Sequence, residues 1–125
     1  MKYKLTIAIV TLILVLGLAI GESIFIKHTF SRFNEKLEYL MQQEEYDYED
    51  VKEVGEWWEK RSQWLEISVS VVQLNEITVT YGELVGAVEN QDYDSASALL
   101  NRIYQYSIHI CDMYMLKIEN VLQLT

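Results

Sequence analysis

Proline is absent from all 125 residues, where average usage near 5% would give about six. Nothing in the chain therefore forces a helix to stop, and long uninterrupted helices are open to it. Glycine is sparse and cysteine occurs once. No Gly-rich phosphate loop, serine elbow or paired-histidine motif exists, so no catalytic activity and no cofactor are expected. Cys111 has no partner for an internal disulfide. Ile108, Ile110 and Met113 surround it, so a buried, inert thiol is expected rather than a nucleophile or a route to a covalent dimer. Positive charge is also scarce: ten Lys or Arg stand against 19 Asp or Glu, a net charge of −9. From His28 onward seven face 18, a balance of −11. That acidity excludes nucleic acid and charge-driven adhesion to anionic lipid, both of which need basic patches. His109, Cys111 and Asp112 come nearest to a metal set. Only His109 and Asp112 share a helix face, so a structural histidine is the simpler reading and no metal is expected.

What the chain does have is an apolar run. Leu5 to Gly21 is apolar apart from Thr6 and Thr11, and Lys2 and Lys4 precede it. A bilayer-spanning helix needs about 20 apolar residues, and Ile24, Phe25 and Ile26 extend the run past Glu22. The rival is a signal peptide cleaved after Gly21, because Ala19 and Gly21 fit the small-x-small rule. The length of the run, its resumption after Glu22 and the helical pattern beyond favour an uncleaved anchor. No cysteine lies near its end, which excludes a lipoprotein. The basic start matches a signal anchor with its N-terminus in the cytoplasm, and the local charge bias around the run is weak. Residues 1–26 are thus read as a single-pass anchor in the cell membrane. Residues 27–125 are read as an acidic extracytoplasmic helical domain.

Two polar points punctuate that domain. Asp47 is a plausible N-cap, with Glu49 and Asp50 following where the helix dipole favours negative charge. Asn90 suits a helix end, and Asp92 suits the next N-cap. Three helical segments are expected: the anchor continuing to about Glu44, a second from about Tyr48 to Glu89, and a third from about Tyr93 to Leu122. The fold class is all-α, an N-terminal transmembrane helix continuing into a three-helix bundle or long helical hairpin. Heptad steps give stripes Ile26-Phe30-Phe33-Leu37-Leu40 in the first segment and Ala96-Leu99-Ile103-Tyr106-Ile110-Met113 in the third. In the second, the stripe runs through Trp57, Lys60, Trp64, Ile67, Val71, Leu74, Thr78, Tyr81, Val85 and Val88. Ile67 to Val71 alternates like a strand but has no partner signalled by turn chemistry, so it is kept helical. A straight second segment would run back into the bilayer. A bend near the membrane, a bend near Ser68 to Ser70, or a sideways hairpin must prevent that, since Gln73, Asn75, Glu76 and Glu83 are costly in lipid.

Folding the last two segments about their short connection pairs residues whose numbers sum to about 184. That register sets Glu76 opposite His109, Glu83 opposite Arg102 and Glu66 opposite Lys117 as structural polar pairs. Candidate partner contacts are the small-xxx-small steps Gly17-Gly21 and Gly82-Gly86, and Trp58, which points about 100° off the stripe. The partner expected is a membrane protein or a second copy.

A basic start and single anchor lead to Trp57 and Trp64, then Asn75-Glu76-Ile77, the Asn90-Gln91-Asp92-Tyr93 turn, and Ile118-Glu119-Asn120-Val121-Leu122. This pattern, covering nearly the whole chain, resembles the family catalogued as domain of unknown function number 4363, short single-anchor proteins of Gram-positive bacteria. Members tend to carry a histidine just before the Glu-Ile pair, where Gln73 and Leu74 stand here. The resemblance implies a membrane-anchored helical protein with no assigned activity. The function expected is that of a non-enzymatic interaction or accessory subunit. The alternatives are an extracytoplasmic ligand-sensing bundle or, after cleavage, a secreted helical protein.

Overall fold

In the computed structural model, residues 2–123 form four helices joined by short connections; these residues are described, less the side chains of Ile118, Val121 and Leu122. The helices are α1 (Lys2–Met41), α2 (Tyr48–Leu65), α3 (Val71–Glu89) and α4 (Tyr93–Gln123). Each packs on two others: α1 on α2 and α4, and α3 on α2 and α4. Cross-contacts fix the directions. Gln43 meets Asp50 and Phe33 meets Trp57, so α2 runs antiparallel to α1. Trp58 meets Thr78 and Ser70 meets Tyr114, so α3 and α4 reverse in turn. Ser107 meets Asn34, which closes the square between α4 and α1. The result is an up-down-up-down four-helix bundle from which the first half of α1 projects.

The expected second helix is in fact two helices, and the three-helix reading is corrected to four. The chain breaks at residues 66–70, the stretch with strand-like alternation. Glu66 caps α2 with its N–H directed to the carbonyls of Ser62 and Trp64. The N–H groups of Ser68 and Val69 both reach the Leu65 carbonyl, at 3.0 and 2.7 Å. Ser70 then turns extended (φ −54°, ψ 126°) and gives its N–H to the Tyr114 hydroxyl at 2.8 Å. The alternation records which way side chains face in this turn: Ile67 outward, Val69 into the core, Val71 outward. Because α3 turns back here, Gln73, Asn75, Glu76 and Glu83 lead away from the apolar half of α1.

Other boundaries follow local chemistry. Asp47 accepts from the Glu49 N–H at 2.9 Å and caps α2 as expected. The α1 helix stops at Met41, a turn short of Glu44. Beyond it, the Gln43 side chain bonds Asp50 at 2.9 Å and accepts from the Asp47 N–H at 3.3 Å. Asn90 ends α3, with Gln91 left-handed at φ 59°. The Asp92 N–H reaches the Ala87 carbonyl at 2.9 Å and the Gln91 N–H reaches Val88 at 3.0 Å, a Schellman closure. Asp92 then accepts from the Ser95 N–H at 3.2 Å and caps α4.

The core is continuous from Ile26 to Leu40 along α1, and all five expected α1 stripe residues are buried. Its centre is aromatic: the Trp58 ring stacks on Phe33 with centroids 4.5 Å apart and meets Phe30 at 6.0 Å. The Trp58 indole N–H donates to Thr78 Oγ1 at 3.0 Å, and the Thr78 hydroxyl in turn donates to the Leu74 carbonyl at 3.1 Å.

Candidate membrane and partner interface

From Leu5 to Ile24, α1 carries large apolar side chains that, among the described residues, no other helix buries. Leu5, Ile7, Leu12, Ile13, Leu14, Leu18 and Ile24 are all exposed. The helix is long and apolar enough to cross a membrane, and only 6% of its most apolar window is covered. Partial cover falls on Leu16 and Ala19.

The bundle meets this segment at a sharply defined level. Ser68, in the α2–α3 turn, donates to the Glu22 carboxylate. Ser23 lies against the sulfur of Met115, at 3.9 Å. The turn, α4 at Met115 and α1 at Glu22–Ser23 therefore share one end of the bundle, its base. Between α1 and the end of α2 a cavity of about 640 Å³ opens at that level, lined by Gly17, Gly21, Phe25, Trp64 and Ile67 with Arg61 and Glu22 among its polar members. Above it the Arg61 guanidinium and the Lys36 ammonium lie over the Trp57 ring, 5.6 and 5.3 Å from its centroid.

The tryptophan assignment is corrected. Trp58, read as the outward contact candidate, is 1% exposed and fills the core, whereas Trp64, read as core-facing, is 64% exposed. The stripe drawn through Leu74, Tyr81 and Val88 holds for α3, but the intervening turn resets the helical phase. The buried face of α2 is Val51-Val54-Trp58-Leu65.

The glycines divide differently from expectation. A Cβ at Gly17, Gly21, Gly82 or Gly86 would meet nothing within 4 Å, so neither step receives another helix of this chain. The close approach is at Gly55, where a Cβ would lie 2.6 Å from the Tyr81 ring. Tyr81 fills that gap with one edge of its ring and donates to the Val51 carbonyl; burial pushes its phenol well above the ordinary range, against the opposing backbone hydrogen bond at Gly55.

The α3–α4 register agrees with the expected pairing, since Ser70 meets Tyr114 and Gln73 meets Met113. Glu76, His109, Glu83 and Arg102 are all exposed on these two helices. Glu66 belongs to the cap of α2, where the register does not reach, and Lys117 stands over the Tyr114 ring at 5.8 Å. Among the described residues no group of three or more metal-ligating side chains gathers. Cys111 is half-buried, and desolvation, with Asp112 adding and Lys27 opposing, raises its thiol. A raised thiol is a poor nucleophile at neutral pH.

Comparison with family models, with curated proteins and with solved structures gives no match. Function is therefore read from the geometry of the chain itself. The residues that sequence reasoning missed are Trp64, Ile67, Val71 and Val72, all exposed at the base, and Gly55 under Tyr81. The alternation from Ile67 to Val71 was the available signal for the first group.

Proposed function

We propose that this chain is a non-enzymatic, single-pass membrane protein whose acidic bundle stands outside the cytoplasm as an interaction or accessory subunit of a membrane complex. The observation that carries the reading is the uncovered apolar half of α1, continuous with a bundle that leaves it bare. Lys2 and Lys4 at its start favour an N-terminus inside. The resemblance to family 4363 belongs to the same reading. The open faces of Gly17-Gly21 and Gly82-Gly86 are where a partner helix would approach.

The membrane part is tested by fractionation and by the N-terminal mass of native protein: an intact Met1 in the membrane pellet is expected, and a chain starting at Glu22 in the soluble fraction would refute the anchor. Orientation is tested with Tyr39→Cys in a Cys111→Ser background, which an impermeant maleimide should label on intact cells. Affinity capture in mild detergent is expected to return a stoichiometric membrane protein. The second reading, a ligand-sensing bundle, is favoured by the cavity beside Trp64 and would be upheld by a retained small molecule instead.

A further inference from the structure

We propose that the base of the bundle is itself seated in lipid, so that the protein holds its membrane by a span and by an interfacial wedge. The wedge is the α2–α3 turn with the adjoining ends of both helices, and its occupant is the leaflet at the Glu22 end of the span. The inference rests on the reading of α1 as a membrane anchor.

Three observations carry it. The first is where exposed apolar side chains lie. Among the described side chains beyond residue 27 the large ones are Tyr39, Tyr48, Trp64, Ile67, Val71, Val72, Val79, Met113 and Leu116. Six of these nine are at the base; the two tyrosines are at the opposite end. Ile67 is 77% exposed and Val72 73%, on a chain whose remaining surface is strongly acidic. A cluster of this kind marks a contact with another apolar phase.

The second is depth. Leu5 to Ile24 is 20 residues of α1, about 30 Å at 1.5 Å per residue, which matches the hydrocarbon thickness. The Ser68–Glu22 hydrogen bond sets the turn at the outer edge of that length. Ser70 to Tyr114, at 2.8 Å, fixes the start of α3 to the same level. The turn thus lies where headgroups give way to acyl chains, the depth at which tryptophan is enriched and amphipathic elements settle.

The third is the cavity between Gly17-Gly21 and Trp64-Ile67, an apolar cleft of about 640 Å³. It begins on the span and ends under the turn, so lipid chains around α1 have continuous access to it. The attraction is apolar burial rather than charge. The opposite side of the base sets the limit of immersion: Lys117, Glu119 and Asn120 are exposed on the last turns of α4 and require headgroups and water. Because α4 runs on past its Met115–Ser23 contact to Gln123, these polar side chains confine the base to interfacial depth, with its apolar α2–α3 side turned toward lipid.

The test uses the full chain in phosphatidylcholine–phosphatidylglycerol vesicles, with Cys111→Ser and one spin-labelled cysteine at a time. Ile67→Cys and Val72→Cys probe the wedge, Leu14→Cys the span and Tyr39→Cys the far end; all four positions are exposed, so the core is left intact. Collisions with oxygen and with a water-soluble nickel chelate are compared. Expected are oxygen-to-nickel ratios at Ile67 and Val72 several-fold above that at Tyr39 and approaching that at Leu14. Ratios equal to that of Tyr39, with Leu14 still reading lipid, overturn the wedge and leave the anchor standing. A Leu14 label that reads water overturns both. Labels at Ile67 and Val72 shielded from both reagents mean that protein, not lipid, covers the base, and this too overturns the proposal.

Discussion

Gln91 occupies the left-handed region at φ 59° to close α3, a conformation that disfavours a side chain with a Cβ. Gln91→Gly should raise unfolding stability by about 1 kcal/mol in denaturant titrations. Its neighbour acts through charge. Hydrogen bonds from Ser95, side chain first and then backbone, hold the Asp92 carboxyl below its usual range. A folded value below the unfolded one means that the cap contributes above the unfolded carboxylate range and loses its contribution as pH falls through the folded value. Asp92→Ala should lower the thermal midpoint at neutral pH, and the difference from the parent should vanish in strong acid. At Gly55 the constraint is steric. An alanine Cβ 2.6 Å from the Tyr81 ring forces that ring off Val51, and Gly55→Ala should cost about 1–3 kcal/mol. A double-mutant cycle with Tyr81→Ala should return most of it as coupling.

The four helices differ in how openly the sequence announced them. The stripe on α1 was legible because nothing interrupts its period from Ile26 to Leu40. The starts of α2 and α4 were legible because Asp47 and Asp92 can bond the N–H groups they cap. The break between α2 and α3 was legible only in part: the length of the segment allowed a bend near Ser68 to Ser70 as one of three options, and the structure takes it, but no proline or glycine marks it. Its signals are two serines, β-branched residues and a tyrosine 44 residues further on, whose hydroxyl takes the Ser70 N–H. Carrying one heptad frame across that break exchanged Trp58 with Trp64 and hid the exposed side of the base. The apolar run of α1 was plain for the opposite reason: among the described residues almost nothing covers it. Helix faces also separate an isolated chain from an assembled one. Gly82 and Gly86 face open space. In the isolated chain Gly82→Ala and Gly86→Ala should therefore each stabilise α3 by about 0.5–1 kcal/mol in detergent unfolding curves. A loss of partner capture with the same variants would map the contact to that face.

For the whole molecule the decisive contact is the one that closes the square, α4 against α1. Ser107, fully buried, donates to Asn34 Oδ1 at 2.6 Å, and the Tyr104 hydroxyl donates to Glu38 at 2.8 Å. That carboxylate raises the phenol of Tyr104. Ser107→Ala strands the Asn34 acceptor and should cost about 1–3 kcal/mol, read from chemical denaturation of the full chain. The helix that receives these contacts is the one that leaves the bundle, and α1 runs unbroken from Lys2 to Met41. It has no proline, and the glycines at positions 17 and 21 lie in its exposed half. A rod of this kind is a lever. Its upper arm, from Glu22 to Met41, is about 30 Å long, so a change of about 10° in the tilt of the span carries the far end of the bundle sideways by about 5 Å. If α1 spans a bilayer as proposed, any tilt adopted to match bilayer thickness would shift the lateral position of Tyr39, Tyr46 and Tyr93 at the far end of the bundle.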